Sequence, residues 1–172
     1  MPISPRLDDD LADLAARVGH AAQDRGLLVA TAESLTSGLV AAHLGAAPEA
    51  GTWFNGGVVA YTVAAKQHGL GVPEIPVISR ECATAMADGA ANLLEADVTV
   101  AATGVGGPEE QEGQPVGTVF LAVRSSRGHT WEHHRFDGDA QEILEAVTAA
   151  ALELLHRAIT ELDPPGATHH AG

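Results

Sequence analysis

Leu27-Leu28-Val29-Ala30-Thr31 is a short apolar run that leads straight into Ala32-Glu33-Ser34-Leu35-Thr36-Ser37-Gly38. The run reads as a buried strand. The hydroxyl-rich stretch reads as a turn, and Ser37 to Leu44 as the helix it opens, closed by Gly45-Ala46-Ala47-Pro48. Upstream, Leu7, Leu11, Leu14, Ala15 and Val18 recur at helical spacing, with Asp8 as a cap and Gly26 as a stop. Downstream, Gly56 to Tyr61 reads as a second strand and a short helix runs through Lys66. Ser79 caps a further helix with Cys82, Met86, Ala90 and Leu93 on one face. Val98 to Thr103 is another buried strand, followed by a glycine-rich loop from Gly104 to Gly113. Val116 to Val123 and His129 to Phe136 form a hairpin about Ser125 to Gly128. Asp139 starts a last helix that runs to about Leu162. Interleaved strands and helices with a late antiparallel hairpin predict a three-layer α/β/α sandwich with a mixed sheet.

The chain has 172 residues, 45% of them hydrophobic and 19% charged, which suits one globular domain. Residues 1–172 read as a single domain with a core over about 7–162 and a frayed tail over 163–172. Nine Lys and Arg against 23 Asp and Glu leave a formal charge of −14, which repels phosphate backbones and argues against nucleic-acid binding. No apolar run is long enough to span a membrane. Met1-Pro2-Ile3 running into Asp8-Asp9-Asp10 is not a signal-peptide pattern, so a cytoplasmic protein is expected. The single cysteine, Cys82, excludes an internal disulfide framework and a Cys-rich zinc site.

Three groups of residues can carry chemistry. A strand that ends in Glu33-Ser34-Leu35-Thr36 before a helix exposes Ser34 beside amides that can hold an anion or an oxyanion. The plainer reading is that these hydroxyls cap the helix. The chain's only tyrosine, Tyr61, and only lysine, Lys66, follow the second strand. Arginine can replace a surface lysine but not one that must accept a proton. Their five-residue spacing turns them roughly 140° apart on a helix, and no Gly-x-Gly-x-x-Gly follows the first strand, so a nicotinamide dehydrogenase is excluded. Thr103-Gly104-Val105-Gly106-Gly107-Pro108 is a loop in which successive amides can nest a phosphate. Glu109, Glu110 and Glu112 follow it. His133 and His134 face opposite sides of a strand and do not form a metal site. Trp53 and Phe54 mark either an apolar contact or core packing.

Together these segments resemble the CinA C-terminal domain family, the PncC-type nicotinamide-nucleotide amidases, over about residues 10 to 160. The resemblance rests on Ala32-Glu33-Ser34 through Gly38, on Gly56-Gly57 with Tyr61, Lys66 and Leu70-Gly71-Val72, and on Thr103 through Pro108 with Gly117-Thr118-Val119. It implies the α/β/α fold and hydrolysis of nicotinamide mononucleotide to nicotinate mononucleotide and ammonia in pyridine nucleotide salvage, with no cofactor or metal. Ser34 is then the nucleophile and Lys66 its base, with Tyr61 relaying the proton or orienting Lys66. For this the Lys66 pKa has to fall well below the usual value of about 10.4. Amides near Thr36, Ser37 and Gly38 would hold the oxyanion. Glu33, Gly57, Thr103, Gly104, Gly106 and Gly107 complete the expected substrate site, with Thr103 and the loop on the phosphate. A homodimer and a small-molecule nucleotide partner are also implied.

The family pattern is Ala-Glu-Ser-Cys-Thr-Gly-Gly, whereas this chain has Leu35 and Ser37 within it. Relatives often carry Gly-Asp-Arg before the last helix and another arginine a turn later, where this chain has Ala140 and Leu144. Arg124 or Arg135 is a possible substitute. The alternative is a catalytically degenerate domain that binds a nucleotide or a protein partner. A third reading is hydrolysis of an amide without phosphate.

Overall fold

The computed structural model describes residues 5–164. Helix α1 (Pro5–Arg25) precedes β1 (Val29–Glu33), α2 (Leu39–Ala46), β2 (Phe54–Val59), α3 (Val63–Leu70) and α4 (Arg80–Leu94). Strands β3 (Val98–Gly104), β4 (Thr118–Ser125) and β5 (Gly128–Arg135) follow, and α5 (Ala140–Thr160) closes the fold. One sheet has the order β2-β1-β3-β4-β5. β1 is parallel to β2 and β3, and β4 is antiparallel to β3 and β5. The mixed sheet follows from the connections. Helices carry the chain between the parallel strands, whereas Ser125 pairs with Gly128 across a tight turn.

Side-chain alternation along the strands supplies two cores. Val29, Val98, Val100, Ala102, Val119 and Leu121 pack with α1, α2 and α5. Ala32 and Ala101 face α4 through Cys82, Met86, Ala87 and Ala90. Small residues on both sides let that helix lie close to the sheet. The result is the expected three-layer sandwich. Trp53 is 1% exposed within the first core, so core packing is its role. No helix among the described residues is long and apolar enough to cross a membrane.

Several boundaries differ from the sequence reading. α1 begins at Pro5, so Asp8 lies within it rather than at its cap. Leu93 is 60% exposed, because the buried stripe of α4 runs through Cys82/Ala83, Met86/Ala87 and Ala90/Ala91, with Leu93 at its margin. α2 starts at Leu39 because Ser37 and Gly38 both take left-handed backbone conformations, φ 51° and 101°. β2 starts two residues early, at Phe54, where it pairs with Val29 beside a bulge. β4 starts two residues late, because the Gly117 amide donates to Val105 O and the Thr118 amide to Pro115 O. The frayed tail expected over 163–172 lies, from residue 165 on, outside the described residues.

The strand order places β2 on one side of β1 and β3 on the other. The connections that leave the carboxyl ends of β1 and β3 therefore diverge, a point where open α/β sheets form crevices. Ser34 follows β1 there, and Val105-Gly106-Gly107 follows β3.

Candidate active site

Ser34 is fixed by its amide, which donates to Ala102 O at 3.1 Å, and its side chain is buried. Lys66 arrives on the first turn of α3, where the Thr62 hydroxyl accepts from the Ala65 amide. The Ala60 amide donates to Glu33 O at 2.8 Å and ties the approach to α3 against the end of β1. Residues 32 positions apart thus meet, and Lys66 Nζ donates to Ser34 Oγ at 2.8 Å. The same Nζ donates to Ala60 O at 2.9 Å and Tyr61 O at 3.2 Å. An ammonium has three donors and an amine has two plus a lone pair. With two N–H groups held by carbonyls, the third valence of Lys66 points at Ser34 in either protonation state.

Lys66 is 2% exposed. Burial is the largest influence on its pKa and lowers it, while Cys82 and the Glu112 carboxylate raise it partly back. Burial also pushes Cys82 up to about 11, so it stays a thiol. Glu112, which sequence reasoning assigned no role, accepts from the Val77 and Ile78 amides at 3.0 and 2.9 Å. It thereby folds the loop after β3 over the cleft that Ser34, Leu35, Lys66, Ile78, Gly106 and Gly107 line. Its position follows from a left-handed turn, φ 53°, that no local sequence signal marks.

Other expected site residues hold the scaffold instead. Glu33 is 1% exposed and caps α2, accepting from the Gly38, Val40 and Ala41 amides and from the Thr36 hydroxyl at 2.7 Å. The serine and threonine hydroxyls do not cap that helix; a carboxylate at the end of β1 does, with the charge sign its dipole favours. Thr36 is fully buried in this contact, and the Ser37 amide donates to Ser34 O. The Ser37 and Gly38 amides are thus unavailable to an oxyanion, and the exposed Ser37 does not line the cleft. Leu35 and Gly106 do line it, and their amides are not among those consumed.

Thr103 donates to Val77 O at 2.7 Å and is 1% exposed, so it positions a cleft wall rather than a phosphate. A Cβ on Gly57 would stand 2.3 Å from Thr31 Oγ1, so this glycine lets α2 and the sheet close up beside the site. Gly104 lines the cleft, but its lack of a side chain is required by Thr118 O at 2.5 Å. Tyr61 reaches Lys66 through its carbonyl; its side chain is 65% exposed at the cleft rim. Arg124 donates to Ala96 O at the opposite end of β3, and the exposed Arg135 is outside the lining, so neither replaces the missing arginines. Among the described residues no cluster of His, Cys, Asp and Glu forms a metal-ligand set.

A family model described as the CinA C-terminal domain matches residues 11–159. A nicotinamide-nucleotide amidohydrolase PncC of Shigella flexneri is 36% identical over 156 residues, covering 86% of this chain and 94% of that protein. A CinA-like protein of Syntrophotalea carbinolica is 37% identical over 155 residues, covering 87% of this chain and 38% of its own. The chain spans only about a third of the length of the first curated relatives it matches. The crystal structure of a competence damage-inducible protein A from Klebsiella pneumoniae superposes with a TM-score of 0.86 at 30% identity, over 89% of this chain and 99% of that one.

Proposed function

The chain belongs to the CinA C-terminal domain family, and from that premise we propose that it is a serine amidohydrolase converting nicotinamide mononucleotide and water to nicotinate mononucleotide and ammonia. The observation that carries this reading is Lys66 Nζ at 2.8 Å from Ser34 Oγ with its two other valences held by carbonyls. Neutral Lys66 takes the hydroxyl proton as Ser34 Oγ bonds to the carboxamide carbon. The amides of Leu35 and Gly106, both on the cleft wall, are the donors assigned to the oxyanion. The proton on Lys66 passes to the amide nitrogen, the C–N bond breaks, and ammonia leaves an ester on Ser34. Water then loses a proton to Lys66, attacks the ester and releases the carboxylate and the serine.

Because the base acts only when neutral, kcat/KM should rise with pH through an apparent pKa below the ordinary lysine value of 10.5. Glu112→Gln removes a negative charge that favours the ammonium, so the rising limb should move to lower pH. A pH–rate profile unmoved by this change would exclude Lys66 as the titrating group.

One observation favours a non-catalytic binding domain. Leu144 stands beside the loop, 3.9 Å from where a Gly106 Cβ would be, at a position where relatives often carry arginine. Ammonia release by the purified chain, lost in Ser34→Ala, distinguishes the two readings.

A further inference from the structure

Among the described residues lining the cleft, Lys66 is the one basic side chain, and it is occupied by Ser34 and two carbonyls. The rim carries instead the exposed ring of Tyr61 and the carboxylate of Glu109. Glu110 and Glu112 lie close along the same loop, and the whole chain carries a formal charge of −14. A phosphate brought to this rim meets like charge. A cation meets a carboxylate and an aromatic face, two attractions of the same sign. The nicotinamide ring of the mononucleotide is itself a cation, because its ring nitrogen carries the ribose.

We propose that the site selects its amide by the positive charge of an N-substituted pyridinium ring, with Glu109 and Tyr61 as specificity-determining residues and the phosphate not required. This inference rests on the reading of the site as a nicotinamide carboxamide hydrolase. The phosphate-free riboside is then as good a ligand as the mononucleotide, and nicotinamide, whose ring is neutral, is a poor one.

Calorimetric binding to Ser34→Ala tests the inference separately from turnover. Nicotinamide riboside and 1-methylnicotinamide should bind within roughly threefold of the mononucleotide, and nicotinamide roughly tenfold or more weaker. Adding Glu109→Gln should weaken the three cations about fivefold and leave nicotinamide unchanged; Tyr61→Leu should act in the same direction. A mononucleotide bound more than roughly tenfold tighter than its riboside would overturn the proposal, as would equal binding of nicotinamide and 1-methylnicotinamide, or no binding by any of the four. The expected binding order together with no ammonia release by the unmodified chain would remove the amidase reading and leave charge selection standing.

Discussion

Lys66→Met is expected to lower kcat for ammonia release by about 10²- to 10⁴-fold, the range over which a positioned general base acts. Methionine keeps the length and apolar stem of lysine but can neither accept the Ser34 proton nor return it to the leaving nitrogen. The change leaves Ala60 O and Tyr61 O without their donor, which costs about 1–3 kcal/mol. It also relieves the desolvation that lowers the Lys66 pKa, so the net change in stability is smaller than that. Circular dichroism and a thermal melt alongside the assay separate loss of chemistry from loss of fold. Turnover near the unmodified level in a folded Lys66→Met protein would refute the assigned base.

Glu33→Gln is expected to lose activity and stability together, by about 2–4 kcal/mol, or roughly 4–16 °C in Tm. The two carboxylate oxygens accept from three backbone amides and from the hydroxyls of Thr31 and Thr36, all at the joint between β1 and α2. Glutamine keeps one acceptor and turns the other into a donor that faces donors. Ser34 is the next residue, so a loosened turn displaces the proposed nucleophile. A Glu33 variant that kept its melting temperature but lost activity would instead point to direct contact with substrate.

These two residues also show what could be read from the sequence. The strand–turn–helix around Ser34 and the hairpin after the glycine loop were legible, because apolar runs and turn residues report backbone path locally. Lys66 stood out as the only lysine, yet its meeting with Ser34 depends on the strand order, which periodicity does not encode. Glu33, Thr36 and Thr103 read as ligand-binding residues because a polar residue at the end of a strand looks the same whether it faces substrate or the protein's own polar groups. Only their burial and partners separate the two. Glu112 has no legible role for a related reason: the amides that donate to it, those of Val77 and Ile78, lie 34 to 35 residues away. The Tyr61 contact was invisible because it runs through the carbonyl, a group every residue has.

The most direct test of the central claim is ammonia release from nicotinamide mononucleotide by the purified chain, measured beside Ser34→Ala. The Ser34–Lys66 pair predicts steady release of ammonia with stoichiometric nicotinate mononucleotide by the unmodified protein and none above background by the variant. Equal release by both would contradict the assigned nucleophile, and no release by either would contradict the amidase itself.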